Sequence, residues 1–212
     1  MSAAEEIDGA LRLDQEEARR AEFYALLASL FYAAPDPALL KAIAGAGMTG
    51  GGIEARPAEG APLAASWRML AAASLAMDAE AARDEYDSVF IGTGRAEITP
   101  YASHYLGASA PERVLVNLRG ELAAMGLGRK GGALEPEDHL AALCDVMRYL
   151  VLRGDDDVAL QQQKLFFKAY ISPWYAEFCV SVAASRKTNF YKHVATFTQA
   201  FFDVEAEAFE LA

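Results

Sequence analysis

The sequence predicts an all-α protein. Several segments carry apolar residues at positions i, i+3, i+4 and i+7, the spacing that gives a helix one buried face. No convincing run alternates polar and apolar residues as a half-buried strand would. Of the 212 residues, 53% are apolar and 23% are charged, a composition typical of a soluble globular protein. A chain of this length forms one large domain or two small ones.

Three apolar stripes predict the earlier helices. Each stripe follows the 3.6-residue period of an α-helix and would face the core. In chain order the stripes are Phe23, Leu27, Leu30 and Phe31 within residues 14–32; Val114, Leu115, Leu118, Leu122 and Met125; and Leu140, Leu143, Cys144, Met147, Leu150 and Val151.

Two further helices are predicted near the C-terminus. Ser172 and Pro173 are typical of an N-cap and a first helical position, and the helix after them would bury Trp174, Phe178 and Val182. The final helix has apolar residues at alternating spacings of four and three, namely Phe190, Val194, Phe197, Phe201, Val204 and Ala208. This period of about 3.5 residues suits packing along a neighbouring helix, either within the chain or across a dimer.

Two glycine-rich segments are predicted to be loops. Residues 45–61 contain six glycines and Pro57, a composition that cannot form a core, and we expect them to be mobile. The second segment, about 126–134, separates two predicted helices. It is predicted either as a hinge between two helical subdomains or as the place where protomers exchange helices. We therefore expect a monomer or a helix-exchanged homodimer.

The charge of the chain excludes some classes of partner. The formal net charge is −11, and no basic stripe is present that could neutralise phosphates, so we expect no nucleic-acid binding. An acidic protein is also disfavoured at an anionic membrane surface, whereas a basic partner is favoured. The charge alone is equally consistent with a role in solubility.

The expected compartment is the cytoplasm. Cys144 and Cys179 lie far apart and within apolar helical patterns, so we expect two buried free thiols in a reducing compartment. Residues 1–8 are acidic and lead into no apolar segment, so no signal peptide is visible. The longest uncharged run, 23–35, is shorter than the roughly 20 apolar residues that a membrane helix needs, and stable membrane insertion is not expected.

The segment Glu135-Pro-Glu-Asp-His139 is the first candidate site. Its proline suits the first turn of a helix, and its acids would then be stabilised by the helix dipole. His139 is either a core-edge residue or, with Asp138, a hydrogen-bonding pair at the mouth of a groove. A metal site at Glu135 and His139 is a third interpretation, but the remaining ligands that zinc needs are missing.

The second candidate site lies in residues 85–105. Tyr86, Val89 and Phe90 cluster on one helix face, just before a turn predicted at Gly92-Thr-Gly94. Such a cluster either packs in the core or lines a groove for an apolar peptide. The lone Gly-x-Gly follows no strand, so nucleotide binding is not expected. The adjacent Ser103 and His104 form no recognised nucleophile motif, and we expect no enzyme activity and no bound cofactor.

Together these motifs resemble the TorD/DmsD family. The resemblance rests on Glu85-Tyr-Asp-Ser-Val-Phe-Ile-Gly-Thr-Gly94, on Pro100-Tyr-Ala-Ser-His-Tyr105 and on Glu135-Pro-Glu-Asp-His139. Members are all-helical cytoplasmic chaperones, also called redox-enzyme maturation proteins. They bind the twin-arginine signal peptide and the body of a molybdenum-cofactor oxidoreductase until the cofactor is inserted.

The resemblance implies a peptide-binding site. Tyr86, Val89 and Phe90 would form part of an apolar groove, and Pro100 and Tyr101 would line its side. Asp138 and His139 would form its polar rim, and Glu135 is also assigned to the peptide-binding site. The chain departs from the family pattern at Val89, Thr93, Ala102 and His104, which leaves the client open.

The function implied by the resemblance is that of a cytoplasmic chaperone for a molybdenum-cofactor oxidoreductase precursor, acting before the precursor is exported. One alternative is a helical interaction or regulatory module that binds no signal peptide. A third hypothesis is a metal-dependent hydrolase that uses Glu135, Asp138 and His139.

Overall fold

A computed structural model describes residues 3–48, 61–107, 110–129, 135–154 and 156–211. This part of the chain is built from α-helices joined by short turns, and it confirms the all-α prediction. The helices are α1 (Ala3–Tyr32), α2 (Pro37–Met48), α3 (Ala61–Ala76), α4 (Ala79–Tyr86), α5 (Ala102–Leu106), α6 (Pro111–Ala124), α7 (Leu140–Leu152), α8 (Asp157–Tyr170), α9 (Tyr175–Ala184) and α10 (Tyr191–Leu211). A π-helical segment, Asp87–Ile91, directly follows α4.

The core is a single aromatic-rich cluster around α1, α7 and α10. Helix α1 packs along α7, and α10 packs against α3, α8 and α9. The apolar seam of α10 is buried from Phe190 to Phe201, while Val204 is half-buried and Ala208 is exposed. Of the two interpretations of this seam, the structure therefore shows packing within the chain.

The boundaries of the first glycine-rich loop were predicted too widely. Gly45 and Gly47 lie inside α2, which continues to Met48, and α3 already begins at Ala61. A Cβ atom on Gly47 would overlap the Cβ of Ala71 on α3, so a glycine here allows the two helices to approach closely. Residues 49–60 lie outside the described residues, as do residues 130–134 of the predicted hinge.

The start of α9 was also predicted wrongly. Ser172 and Pro173 belong to a turn, and the helix begins at Tyr175. The amide of Ser172 donates to the carbonyl of Phe167, and the indole of Trp174 donates to the carbonyl of Tyr170. These residues therefore close the C-terminus of α8 instead of opening α9. The predicted burial of Trp174, together with that of Phe178 and Val182, is confirmed.

A buried polar network joins α1 to α8 and α10. The Arg20 guanidinium donates to both carboxylate oxygens of Glu205 at 2.7 and 2.8 Å and also to Gln163. The hydroxyl of Tyr24 donates to the same carboxylate at 2.8 Å. Because Glu205 is almost completely buried, the network provides the partners that a charge in a core requires.

Three side chains fix the region where α1, α4 and α10 meet. The Glu85 carboxylate accepts hydrogen bonds from the amides of residues 189, 190 and 191 at 2.8, 3.0 and 2.6 Å. This side chain of α4 therefore caps the N-terminus of α10. The hydroxyl of Tyr191 donates to the carbonyl of Leu30, and that of Tyr86 donates to the carbonyls of Phe31 and Tyr32. The C-terminus of α1 is thereby held in one position.

Both cysteines are free and buried, as predicted. Burial raises the pKa of the Cys144 and Cys179 thiols. Across the described ranges, no helix is both long enough and apolar enough to cross a membrane.

Candidate functional site

The Glu135–His139 segment forms a turn that precedes α7, here named the acidic turn. We predicted that Pro136 starts a helix, and this is wrong, because α7 begins at Leu140 with His139 as its N-cap. The Nδ1 atom of His139 accepts from the amide of Ala141 at 3.1 Å. The acids therefore lie before the helix and not in its first turn.

The acidic turn is paired with residues 100–103, so the two sequence motifs lie side by side. Tyr101 and His139 form an antiparallel bridge. In it, the amide of Ala102 donates to the carbonyl of Asp138 and the amide of Leu140 donates to that of Pro100. This pairing keeps His139 extended, which explains why the helix cannot begin earlier.

Asp138 and His139 are buried beneath the turn. Asp138 is fully buried, and its Oδ2 accepts from the amide of Ser103 at 2.9 Å. Its Oδ1 has no hydrogen-bond partner within the described part of the chain. Burial lowers the pKa of the His139 imidazole, although the charges of Glu135 and Asp138 act against the shift. In this conformation both side chains hold the turn in place and do not form an open rim.

Glu135 and Tyr101 form the accessible part of the turn. The Tyr101 hydroxyl donates to the Glu135 carboxylate at 2.5 Å, and both side chains are half-buried. The rings of Tyr101 and His139 pack edge to face, with their centroids 5.1 Å apart. Burial, followed by the hydrogen bond to Glu135, raises the pKa of Tyr101. Of the two acids predicted for the peptide-binding site, Glu135 is therefore the one that is open to solvent.

Tyr86, Val89 and Phe90 lie behind this surface. Val89 is fully buried, and Phe90 packs against Phe31, Phe178 and Tyr191. Tyr86 is buried except for one edge, and burial raises its pKa to about 12, with further contributions from Glu135 and Asp87. Val89 and Phe90 thus support the surface in this conformation, whereas Tyr86 also reaches it.

The π-helical segment gives this part of the chain its shape. It ends at Gly92, whose φ of 66° is favourable only for glycine, and an added Cβ would overlap the carbonyl of Arg95. Single π-helical turns are frequent at functional sites. The predicted glycine turn after the aromatic cluster is therefore present.

Three clefts surround the acidic turn. The apolar cleft has a volume of about 360 Å³, and its lining includes Leu122, Leu127, Ala142, Val146 and Tyr149. The charged cleft has about 370 Å³ and is lined by Tyr32, Ala33, Ala34, Arg83, Tyr86, Asp87, Ile91 and Glu135. The polar cleft has about 480 Å³ and is lined by Thr99, Tyr101, Ser103, His104, Gly107, Pro111, Leu115, Pro136 and Asp138.

Acidic groups are among the lining residues of the apolar cleft. Glu135, Glu137 and Asp145 contribute to its lining together with Arg129. Glu137 pairs with Arg119 at 2.9 Å, and the hydrogen bond to Arg119 lowers its pKa. The lining combines apolar side chains with more acidic than basic groups, which suits an apolar segment flanked by basic residues.

Comparison with known proteins identifies the family of the chain. Residues 56–180 match the profile of the nitrate reductase delta subunit family, which is more than half of the chain and includes both motifs. The chain belongs to this family. Its members are TorD- and NarJ-type chaperones for the maturation of redox enzymes, and the predicted resemblance to the TorD/DmsD family is confirmed.

The fold has also been seen in a solved structure. A crystal structure of a candidate redox enzyme maturation protein from Archaeoglobus fulgidus matches with a TM-score of 0.54 and 24% sequence identity. The match covers 88% of this chain and 93% of the other. At this identity the likeness shows the fold. No curated protein sequence matches the chain.

The family assignment is to chaperones and not to a catalytic family. In the described ranges, no group of three or more histidine, cysteine or acidic side chains is placed to hold a metal ion. The hydrolase hypothesis requires Asp138 and His139 to bind a metal ion. However, Oδ2 of Asp138 and Nδ1 of His139 already accept hydrogen bonds from backbone amides. The geometry therefore offers the hydrolase hypothesis no support.

Sequence reasoning missed Tyr32. This side chain ends α1, is 52% exposed and lines both the apolar and the charged cleft. A signal was present, since Tyr32 is the last aromatic residue before the Ala-Ala-Pro sequence that stops the helix. Tyrosine is enriched at interfaces because its apolar ring carries a polar hydroxyl.

Proposed function

We propose that this protein is a cytoplasmic chaperone that binds the twin-arginine signal peptide and the body of a molybdenum-cofactor oxidoreductase precursor before export. The observation that carries the proposal is the apolar cleft beside the acidic turn, whose lining combines apolar side chains with the acids Glu135, Glu137 and Asp145. Such a cleft matches the two parts of the leader, because an apolar run follows a basic segment.

Apolar contact supplies most of the binding free energy in this proposal. The volume of about 360 Å³ lies in the range of ordinary ligand sites. Burying one leucine-sized side chain contributes roughly 1.5–3 kcal/mol, whereas an exposed ion pair contributes about 0–1 kcal/mol. Two or three such side chains therefore outweigh the arginine pairs, before ordering costs of several kcal/mol.

The acids contribute mainly to association and to the choice of peptide. With a net charge of −11, the protein attracts a basic segment from a distance and disfavours acidic competitors. We expect affinity on the micromolar scale, about −8 kcal/mol. Raising the salt concentration should weaken binding only modestly, and a steep loss of affinity would contradict this ranking of the two contributions.

The buried motif residues have a supporting role in this proposal. Asp138 and His139 fix the acidic turn, and Val89 and Phe90 fill the space beneath the exposed aromatic residues. Tyr86 and Tyr101 connect these buried groups to Glu135 at the surface. The unpartnered Oδ1 of Asp138 remains available as an acceptor if the turn opens towards the polar cleft.

The first test is calorimetric titration of the full chain with a synthetic twin-arginine leader peptide. Tyr149 lines the apolar cleft and is partly exposed, so Tyr149→Ala should weaken binding about tenfold without unfolding the protein. Leu165→Ala removes an exposed side chain of α8 that lines none of the three clefts, and it serves as the control. Equal affinities for wild type and Tyr149→Ala would contradict the assignment of the apolar cleft.

The client is identified by purifying the tagged protein from its host under respiratory conditions and analysing what co-elutes by mass spectrometry. The name of the family points to a nitrate reductase as the first client to consider. We expect an unprocessed molybdoenzyme subunit that still carries its leader. Recovery of only unrelated proteins, while such an enzyme is expressed, would favour an interaction module that binds no signal peptide.

A further inference from the structure

We propose that a bound leader crosses from the apolar cleft into the charged cleft over Tyr32 and Glu135, and that the charged cleft receives the arginine pair. This inference rests on the proposed function and adds the path of the peptide and a set of residues that select for arginine. None of Tyr32, Arg83, Asp87 and Ile91 was a candidate from the sequence.

The two clefts have a common wall. Tyr32 and Glu135 line both, and they come from the end of α1 and from the start of the acidic turn. A ligand that fills one cleft therefore contacts the same two side chains as a ligand in the other. Because the clefts differ in character, a segment with one apolar part and one charged part fits across the wall better than a uniform ligand.

Hydrogen bonds hold the backbone that carries Tyr32. The hydroxyl of Tyr86 donates to the carbonyls of Phe31 and Tyr32 at 3.0 and 2.9 Å, and Tyr191 donates to that of Leu30 at 2.9 Å. These contacts fix the backbone of the last turn of α1. The Tyr32 side chain then projects from a fixed position, which lowers the ordering cost of binding.

The charges of the second cleft suit a guanidinium group. Asp87 and Glu135 contribute carboxylates to its lining, and Arg83 contributes the opposing positive charge. Both carboxylates line the same cleft as Tyr86. Carboxylates bind guanidinium groups through paired, charge-assisted hydrogen bonds.

Ile91 completes the charged cleft. Its side chain is 55% exposed at the end of the π-helical segment. Arginine side chains carry an apolar stem as well as a charged head, so an exposed isoleucine beside two carboxylates matches both parts. Arg83 would limit the cleft to ligands that bring enough positive charge to overcome its repulsion.

Opposite charge changes at two exposed positions test the inference. Asp87→Asn should weaken binding of a twin-arginine peptide about two- to fivefold, and Arg83→Gln should strengthen it by a similar factor. Both side chains are exposed, so neither change should alter the fold. With a peptide in which both arginines are replaced by glutamine, the two variants and wild type should bind with the same affinity.

Changes at the common wall provide a second, independent measurement. Tyr32→Ala should weaken binding about tenfold, and Tyr32→Phe should leave it almost unchanged because the ring is kept. Two half-peptides, one apolar and one with the arginine pair, should both bind more weakly to Tyr32→Ala. Ile91→Ala should affect only the arginine half, and Tyr149→Ala only the apolar half.

The outcomes separate this inference from the proposed function. If wild type binds no leader peptide, the proposed function fails. If wild type binds and Tyr149→Ala weakens binding, but the Asp87 and Arg83 variants behave as wild type, the path through the charged cleft is wrong. If Tyr32→Ala changes the mass measured by sedimentation and not the affinity, the wall contacts a second copy of the chain, which would also overturn the inference.

Discussion

The replacement Glu85→Gln tests how the fold holds the candidate site together. The Glu85 carboxylate, which is 8% exposed, accepts three backbone N–H groups at the start of α10 at 2.6–3.0 Å. Glutamine keeps the shape of the side chain but has one acceptor oxygen and no charge. Its NH₂ group would face N–H donors that it cannot satisfy.

The expected loss of stability follows from these contacts. Hydrogen bonds to a charged group contribute about 1.5–3 kcal/mol each, roughly twice the contribution of neutral ones. Relief of the cost of burying a charge offsets part of the loss. We expect Glu85→Gln to lower the free energy of unfolding by about 3 kcal/mol, and the Tm by about 6–12 °C.

Denaturant unfolding followed by circular dichroism measures this loss. Glu22→Gln, on the exposed side of α1, removes the same charge without a cap and serves as the control. If Glu85→Gln and Glu22→Gln differ from wild type by equal amounts, the cap contributes nothing. The reasoning about α4 and α10 would then be refuted.

Three further predictions concern buried polar groups. Arg20→Met should lower the free energy of unfolding by about 3–5 kcal/mol because the Glu205 charge loses its partner, and the double variant with Glu205→Leu should recover most of it in denaturant unfolding. Tyr86→Phe should cost about 1–2 kcal/mol in the same assay. Because burial lowers the pKa of His139, the stability of wild type relative to His139→Asn should be greatest above pH 6.5 or so and fall as the pH falls below it. An unchanged difference in stability between pH 7.5 and pH 5 would contradict that assignment.

The helical fold could be predicted because its longest helices have strong periodicity. The stripes of α7 and the seam of α10 repeat over several turns, so the core face is determined locally. Where tertiary contacts override local signals, the predictions were wrong. Gly47 lies in a helix because α2 approaches Ala71 closely, and Ser172 and Pro173 close α8 because Trp174 folds back on Tyr170.

The sequence predicted which residues form the candidate site, but not which of them are exposed to solvent. The motifs brought together Tyr101, Glu135, Asp138 and His139, and the structure places them side by side. Which of them reaches solvent depends on the bridge between residues 101 and 139, a contact between positions far apart in sequence. Tyr32 was missed because its role depends on two clefts that only the assembled fold creates.

Asp138→Asn separates the structural role of the acidic turn from its role in binding. Asparagine can still accept from the amide of Ser103, and it replaces the unpartnered carboxylate oxygen of Asp138 with an uncharged NH₂ group. Loss of the buried charge offsets the cost of an NH₂ group that has no acceptor, so we expect the stability in denaturant unfolding to change little. If a donor group of the leader binds Oδ1 of Asp138 in the wild type when the turn opens, the variant should bind the peptide about tenfold more weakly although its fold is intact. Loss of stability with unchanged affinity would show the opposite, namely that Asp138 only supports the turn and that recognition lies entirely in the exposed side chains around Tyr32 and Glu135.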